Sequence, residues 1–323
     1  MEKKSPAEQF ITFLERLPKQ QRIIIQPHDF PDHDAISSAF ALQYLLKTLG
    51  YDAKITFNGY IDRISLRNMM DWLEIDAQHI THLPLTPNDK IIVIDGCIGE
   101  KNVTDMPGLE VAVIDHHQVS APDHVWFADV RPHVGATATI MVEYFQALNI
   151  EMTGNIATAL LVGMMFDTNQ FSRGMVLEDM RAMLALRNKA DLSLANKIYR
   201  NQLEYRDLKD FNTLIDSLNK TRNIASCFLP DCPKNMLGVL GDFLLTIDEI
   251  DITLLACEEN GRIYLSMRSE CANTNVGQVL KQFLNQQQIG FGGGHRYMAG
   301  GVINDPSAMR NIDHLLEQLT NQL

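Results

Sequence analysis

The sequence predicts an α/β protein with a mostly parallel sheet, helices on both of its faces, and a smaller C-terminal α/β domain. Short apolar segments such as Lys90–Ile94 and Val111–Ile114 alternate with longer segments of helical periodicity, which is typical of βαβ units. Strands that are apolar on both sides belong to parallel sheets buried between two layers. After Arg222 the pattern changes to shorter strands, and 323 residues are enough for two hydrophobic cores.

The first predicted domain begins with a helix at Ser5 and Pro6, because this pair favours a helix start and an apolar stripe follows it. A strand at 22–26 leads through a polar loop into a helix at 35–49, which ends before Gly50. The remaining predicted strands lie at 53–57, 90–94 and 111–114, and the remaining helices at 64–73, 136–148, 154–166, 177–189 and 192–222, the last broken near Gln202.

The second predicted domain contains strands at 237–240, 252–257 and 262–267, a helix at 276–286 and then a glycine-rich segment. We therefore divide the chain into a first domain over residues 1–202, a helical linker over 203–224 and a second domain over 225–323. Low-complexity segments and internal repeats are absent from the sequence.

The composition limits the classes of partner. A formal net charge of −12 argues against a broad basic surface for long duplex nucleic acid, so a nucleotide substrate is expected to be short and held locally. No segment approaches the roughly 20 apolar residues that a membrane-spanning helix needs, and we expect a cytoplasmic protein without a membrane partner. The five cysteines show no C-x-x-C spacing, so neither a disulfide framework nor a zinc ribbon is predicted.

The loop after the first parallel strand contains three candidate ligands, His28, Asp32 and Asp34. Ligands of such sheets bind beyond the carboxyl ends of the strands, where this loop lies. In a purely structural interpretation, Asp34 would cap the following helix and Asp32 would stabilise a turn.

Two further strands end in the same way. Asp95 is the first polar residue after one apolar strand, and Asp115-His116-His117 follows the next. Carboxylates and imidazoles gathered at one edge of a sheet are suited to divalent cations. Taken alone, Asp95 could belong to a simple turn.

Asp167 ends an apolar helix. A carboxylate at a helix C-terminus opposes the helix dipole, and a cation would offset that cost. The alternative is a solvated carboxylate that follows a buried helix.

Together these motifs resemble the DHH phosphoesterase superfamily. The ordered series is H-x-x-P-D-x-D, an aspartate after an apolar strand, D-H-H, and D-T after a helix. Near the C-terminus, Gly292-Gly293-Gly294-His295-Arg296-Tyr297-Met298-Ala299-Gly300 is similar to the signature of the DHH-associated substrate domain. The resemblance covers residues 22 to about 303, and it implies a catalytic first domain and a substrate-binding second domain.

The resemblance implies two divalent metal ions. One would be held by His28, Asp32 and Asp95, and the other by Asp34, Asp95, His116 and Asp167, with Asp95 as the bridge. Manganese is expected and magnesium is the second choice, since a mixed shell of imidazoles and carboxylates suits manganese. Asp95 and His117 are the predicted catalytic residues, with His117 facing the phosphate rather than a metal.

In the second domain, the resemblance implies a clamp for a substrate phosphate, formed by Arg268, Ser269, Gly293, Gly294 and His295. A glycine turn and an ordinary exposed strand residue are the structural alternatives. Three departures from the family pattern are His33, Phe166 and Met298. For Arg131, His133 and Arg173, solvated surface positions are a better explanation than phosphate contacts.

The predicted function is hydrolysis of short phosphorylated nucleotides by a water molecule that two metals activate. A nanoRNA-type oligoribonuclease, an exonuclease, or an adenosine 3′,5′-bisphosphate phosphatase fits this description. The alternatives are a phosphodiesterase for cyclic or linear dinucleotides, then a pyrophosphatase or polyphosphatase, and then a catalytically silent nucleotide sensor. A homodimer is compatible with the sequence.

Overall fold

The computed structural model describes residues 5–294, 296–305 and 311–323. The chain forms two compact units that divide between Gln202 and Leu203. Each unit contains one six-stranded sheet. Within the described residues, no helix combines the length and the apolarity needed to cross a membrane.

The sheet of the first unit is entirely parallel, with the strand order β3-β2-β1-β4-β5-β6. The chain runs outward from β1 to β3 and then returns to the middle for β4, so the strand order reverses between β1 and β4. This reversal is the point where parallel α/β sheets bind ligands. The strands are β1 (Ile23–Pro27), β2 (Ala53–Phe57), β3 (Ala77–His79), β4 (Lys90–Ile94), β5 (Leu109–Asp115) and β6 (Phe127–Val130).

Helices cover one face of this sheet. Alternate strand residues such as Ile23, Ile25 and Ile92 pack against them in one large core, which buries the apolar sides of the helices from water. The helices are α1 (Pro6–Arg16), α2 (His33–Thr48), α3 (Ile64–Trp72), α4 (Thr137–Ala147), α5 (Gly154–Asp167), α6 (Leu177–Leu186) and α7 (Leu192–Arg200).

The other face of the sheet has a different cover. There Ile24, Ile91 and Val93 pack against a 3-10 helix at Ile80–His82 and against connecting loops. The fold class is the predicted one. On this face, however, loops and one 3-10 helix take the place of the predicted α-helices. The reason is that the described connections from β4 to β5 and from β5 to β6 are loops, which bury their own apolar side chains such as Val103 on the sheet.

The second unit contains a mixed sheet with the order β11-β12-β10-β9-β8-β7, in which only β8 and β9 pair in parallel among the described strands. Helices α8 and α9 contribute to one core, and α10 and α11 to the other. The elements are α8 (Leu208–Ser217), β7 (Asn219–Thr221), β8 (Ile224–Leu229), α9 (Met236–Leu244), β9 (Ile252–Glu259), β10 (Arg262–Ser269), α10 (Val276–Gln287), β11 (Gly290–Gly294), β12 (Met298–Ile303) and α11 (Ile312–Thr320).

Two predicted elements are wrong. Residues 237–240 belong to helix α9 rather than a strand, because Leu237, Leu240 and Leu244 share one buried side at helical spacing and a short apolar run does not reveal its own period. The predicted helix over 192–222 is wrong only in its last part: the break predicted near Gln202 separates α7 from α8, but the segment after Ser217 forms β7, which pairs with β8.

Candidate metal centre

The candidate metal centre lies where the strand order of the first sheet reverses. Pro27 at the end of β1 is paired with Ile94 at the end of β4, so the next residues, His28 and Asp95, start their loops side by side. The Nε2 atom of His28 lies 3.7 Å from an Asp95 carboxylate oxygen. The topology alone therefore brings the first pair of predicted ligands together.

Asp32 caps a helix and also faces another predicted ligand. Its Oδ1 accepts hydrogen bonds from the backbone N–H groups of Asp34 and Ala35, at 3.0 and 3.1 Å, which makes Asp32 the N-cap of α2. Its other oxygen lies 4.0 Å from Nε2 of His28. The capping interpretation and the ligand interpretation of Asp32 are therefore compatible.

Asp34 is fully buried in the first turn of α2, yet it caps a different helix. Its carboxylate accepts from the N–H groups of Thr137 at 2.6 Å and Ala138 at 3.0 Å, the first two residues of α4. The N-cap residue of α4, Ala136, has no side-chain acceptor of its own, so Asp34 supplies what it lacks. This contact fixes the position of Asp34.

Thr137 also holds Asp95. Its hydroxyl donates a 2.8 Å hydrogen bond to Oδ1 of Asp95, and Asp95 takes a left-handed backbone conformation with a φ of 55°, which aspartate tolerates better than most residues. Sequence reasoning missed Thr137. A threonine at the start of a helix gives no sign that it contacts a carboxylate on another loop.

Asp167 reaches the centre through a close helix pair. A Cβ atom at Gly163 of α5 would lie only 2.3 Å from the Ser37 hydroxyl and 2.8 Å from Asp34 Oδ1. The absence of a side chain lets α5 approach α2, and Asp167 at the end of α5 lies 3.1 Å from Nε2 of His116.

Two histidines have the orientation of metal ligands. The Nδ1 atoms of His28 and His116 lie 2.9 and 3.3 Å from the backbone carbonyl oxygens of Asp29 and Val134. If Nδ1–H donates to these carbonyls, the unprotonated Nε2 atoms face the carboxylates. This arrangement is common for histidine ligands.

His117 has a different orientation. Its Nδ1 lies 2.7 Å from Oδ1 of Asp115, which also accepts the His117 backbone N–H at 3.0 Å. Burial alone would lower the pKa of His117, but the hydrogen bond with Asp115 and the charge of Asp95 raise it above its ordinary value. The ring can therefore carry a proton and present Nε2 as a donor.

The donor atoms fit divalent cations. Ligand atoms within 4.8 Å of one another form three overlapping groups, namely His28, Asp32 and Asp95; Asp34, His116 and Asp167; and Asp95, His116 and His117. Burial and the charge of Asp32 raise the pKa of Asp95 to about 6 against the opposing charges of nearby histidines, and burial and neighbouring carboxylates raise that of Asp34 well above its ordinary value. Cations would relieve this repulsion, and the mixture of nitrogen and oxygen donors suits manganese.

Two residues that depart from the family pattern contact each other. The rings of His33 and Phe166 stack with centroids 3.4 Å apart and planes within 4°. Burial lowers the pKa of His33 to about 3, so this histidine is neutral and packs as an aromatic ring. The two departures therefore pack against each other, and they directly precede Asp34 and Asp167 in the sequence.

Three polar residues near the motifs, Arg131, His133 and Arg173, do not belong to the groups of candidate ligands. Arg131 is buried rather than solvated, and it makes two 2.8 Å hydrogen bonds to Asp129. His133 is exposed, with Nε2 4.0 Å from Glu178, while Arg173 is half-buried. Arg131 therefore has a structural partner.

The predicted phosphate-binding residues of the second unit are engaged in local contacts. The Nε atom of Arg268 lies 3.2 Å from Asp242, and the buried Ser269 hydroxyl accepts the Cys271 N–H at 3.0 Å. His295 lies outside the described residues.

Gly293 and Gly294 belong to the edge strand β11, so the structural alternative of a glycine turn does not hold. A Cβ at Gly294 would lie 2.2 Å from the carbonyl oxygen of Met298 in β12. The glycines allow this close strand pairing. Around Gly293 the space is open.

Comparison with known proteins decides the family. The DHH family, N-terminal domain, matches residues 22–164, and the DHHA1 domain matches residues 222–322. The chain belongs to the DHH family. Members of this family are phosphoester hydrolases.

Several relatives resemble this DHH chain. An uncharacterized protein of Methanocaldococcus jannaschii is 28% identical over 91% of the chain and 62% of its own length. A probable manganese-dependent inorganic pyrophosphatase of Enterococcus faecalis is 26% identical over 54% of the chain and 57% of its own length. The chain thus spans less than two thirds of either relative.

A solved structure shares the fold. The exopolyphosphatase-related protein from Bacteroides fragilis has a TM-score of 0.76 and 20% identity, covering 97% of this DHH chain and 95% of its own. At this identity the likeness concerns the fold alone.

Proposed function

We propose that this DHH protein is a two-metal phosphoesterase that hydrolyses short phosphorylated nucleotides. The observation that carries the proposal is the position of Asp95 at the reversal of the strand order, with one carboxylate oxygen 3.7 Å from Nε2 of His28 and the other 3.6 Å from Nε2 of His116. Asp95 thus faces one ligand of each proposed site, and two neighbouring cations can carry out hydrolysis of a phosphate. The other ligands would be His28, Asp32, Asp34, His116 and Asp167, as the sequence predicts.

Two bound cations would supply positive charge to the attacked phosphate and acidify a water molecule between them. Hydrogen bonds within the protein would orient the side chains that surround this phosphate. Asp115 fixes the ring of His117 through the 2.7 Å contact at Nδ1, which leaves Nε2 to donate a hydrogen bond or a proton to a phosphate oxygen. Thr137 keeps the Asp95 carboxylate in place.

The net charge of the whole chain favours a short substrate that a few local groups bind. With a net charge of −12, binding depends on local groups, since charges are screened beyond about 8 Å at physiological salt. A nanoRNA or adenosine 3′,5′-bisphosphate offers few phosphates and at least one base. We assign residues 225–323 the role of binding a distal phosphate through Arg268, Ser269, Gly293, Gly294 and His295.

Inorganic pyrophosphate is the second candidate substrate, because a probable manganese-dependent pyrophosphatase matches about half of the chain. It contains no base and makes no use of a second domain that would bind a nucleotide.

A substrate panel tests both candidates. Protein stripped with a chelator and reloaded with manganese would receive a 5′-phosphorylated dinucleotide, adenosine 3′,5′-bisphosphate, a cyclic dinucleotide and pyrophosphate. We expect turnover of the dinucleotide or the bisphosphate, none in the stripped protein, and none with Asp95→Asn. Turnover of pyrophosphate alone would overturn the substrate class, and binding of nucleotides without any turnover would favour a sensor.

A further inference from the structure

An exposed aromatic residue lies within the loop of the candidate metal centre. Phe30 lies two residues from His28 and two from Asp32, and half of its surface is exposed. Its backbone has a φ of 54°, a left-handed conformation that bulky residues rarely adopt and that is strained for them. Such strain persists only where the surrounding structure enforces it.

The surrounding structure enforces the conformation of Phe30 through hydrogen bonds made by Phe30 and by Asp29 before it. The Phe30 N–H donates to the carbonyl of Asn58 at 3.0 Å, and the Asp29 N–H donates to Asn102 at 2.6 Å. The Asp29 carboxylate accepts from the Thr104 hydroxyl at 2.6 Å and from the Asn58 amide at 3.2 Å. The loop is therefore preorganised, and the ring of Phe30 is held out of the core.

Gly59 provides the support for this ring. A Cβ atom there would lie 2.6 Å from Cδ1 of Phe30, so the ring rests directly on the backbone of the loop after β2. The next residue, Tyr60, meets Phe30 edge to face with centroids 4.9 Å apart and planes at 84°. Tyr60 is itself 45% exposed.

A cation lies on the same loop. Arg63, three residues after Tyr60, is the N-cap residue of α3. Its guanidinium gives this loop a positive charge that can attract a phosphate.

We propose that Phe30 and Tyr60 form a platform on which a nucleobase of the substrate stacks while its phosphate lies at the metal centre. This inference rests on the proposed function and names how the substrate is recognised. Single exposed apolar residues are common on proteins, but that does not explain why two exposed rings contact each other beside the metal loop and why one of them is held at a positive φ. Stacking is also compatible with the acidic chain, because it needs no positive surface.

The test replaces the ring and retains apolar bulk. Stacking contributes about 1–3 kcal/mol per base, so Phe30→Leu should lower kcat/KM for a 5′-phosphorylated dinucleotide by about 5- to 150-fold at 1.36 kcal/mol per decade. Phe30→Trp should retain most of the activity. A 5′-phosphorylated diester of the same backbone without bases should be hydrolysed equally well by wild type and Phe30→Leu. Trp72→Leu is the matched control, since Trp72 is 37% exposed on the same unit.

Each outcome decides the proposal. Equal losses on the dinucleotide and the base-free diester would mean that Phe30 supports the metal loop, and no loss on the dinucleotide would mean that no base stacks there. Should Phe30→Leu fail to show a normal thermal transition, Tyr60→Leu with the same substrates replaces it.

A binding measurement separates this inference from the proposed function. Calorimetric titration of adenosine 5′-monophosphate into manganese-loaded wild type and Phe30→Leu does not depend on turnover. Weaker binding to Phe30→Leu supports the platform even if the panel finds no nucleotide hydrolysis, and equal binding overturns the platform even if hydrolysis is found.

Discussion

At the two ends of strands β1 and β4, a buried carboxylate lies in opposite electrostatic surroundings, which shift its pKa in opposite directions. At the amino ends, Arg22 makes hydrogen bonds of 2.8 and 2.6 Å to Asp89, and the hydrogen bond with Arg22 lowers the pKa of Asp89. At the carboxyl ends, Asp95 lies beside other carboxylates, and burial raises its pKa to about 6. At the amino ends an arginine of the chain neutralises the buried carboxylate. At the carboxyl ends bound cations would be needed to neutralise the carboxylates.

The difference has a cost in stability. At about 1.36 kcal/mol per pKa unit, keeping Asp95 ionised above pH 6 costs the metal-free fold on the order of 3 kcal/mol, since its ordinary pKa is 3.8. The lowered pKa of Asp89 has the opposite effect, because its ionised form stabilises the fold. Cations bound at the carboxyl ends of the central strands would offset this cost.

The largest expected effect comes from removing the charge at the carboxyl end. Asp95→Asn should lower kcat/KM by about 1,000-fold or more on every substrate, because two cation sites lose an anionic ligand and a metal supplies several kcal/mol of charge stabilisation. The conservative variant keeps an oxygen that can accept from Thr137. Steady-state kinetics at saturating manganese would measure the loss, and near wild-type turnover would show that Asp95 is not the bridge.

The same variant should stabilise the metal-free protein. Because the folded pKa of Asp95 is raised, its stabilising protonated form is lost as the pH rises through about 6. In a chelator, Asp95→Asn should therefore unfold at a higher temperature than wild type at pH 7.5, by about 2–4 °C per kcal/mol, and the gap should close near pH 4. A variant no more stable at any pH would mean that the metal-free centre is not strained.

Arg268 tests a third arrangement, an arginine whose carboxylate partner is accessible. Asp242 is 44% exposed, against 5% for Asp89, so a substrate phosphate could replace it. Losing a charged hydrogen bond costs about 1.5–3 kcal/mol, and Arg268→Ala should lower kcat/KM for a 5′-phosphorylated dinucleotide by about 10- to 150-fold. A small diester without the second phosphate should be unaffected.

Asp242→Asn is the matched variant for this test. It removes the competing carboxylate and keeps the guanidinium, so kcat/KM for the dinucleotide should be equal to or above that of wild type. Equal losses with Arg268→Ala on both substrates would mean that the arginine supports the fold and that the phosphate clamp is wrong.

The next effect concerns how Asp95 is held. Thr137→Val removes the hydroxyl that donates to Asp95 at 2.8 Å, and loss of such a supporting partner typically costs 10- to 100-fold in metal affinity or activity. Thr137→Ser should restore both. Manganese titration of the three proteins would check this positioning role, which a purely structural threonine would not reproduce, since its loss would lower the melting temperature without changing metal affinity.

Much of this site could be predicted because a polar residue directly after an apolar run marks the end of a buried strand in the sequence. His28, Asp95 and His116 each follow an apolar strand, and parallel strands bring their carboxyl ends to one edge. What could not be predicted depends on tertiary contact. No sequence period links His33 to Phe166 or Asp34 to Thr137, and these contacts exist only because α5 and α4 pack beside α2.

The fold was predicted with the same limits. The parallel sheet follows from its apolar strands, but β3, β6 and β7 are short and partly polar, so they resemble loops. A turn was the structural alternative for the glycines of β11, because glycine disfavours strands. They are in a strand, and at Gly290 and Gly294 the backbone of β12 leaves no room for a side chain.

The smallest expected effect on catalysis comes from the amino ends of the strands. Arg22→Met removes the partner of Asp89 and leaves that carboxylate 5% exposed with two fewer hydrogen bonds. The free energy of unfolding should fall by about 1.5–3 kcal/mol at pH 7, with kcat/KM unchanged. Since the folded pKa of Asp89 is lowered, its contribution is present above pH 4 and is lost as the pH falls through the folded pKa. Denaturant titrations of wild type and Arg22→Met should therefore converge in acid. A loss of activity at full folding would show that the two ends of the sheet are not independent, whereas an unchanged free energy of unfolding would remove the ion pair from the comparison.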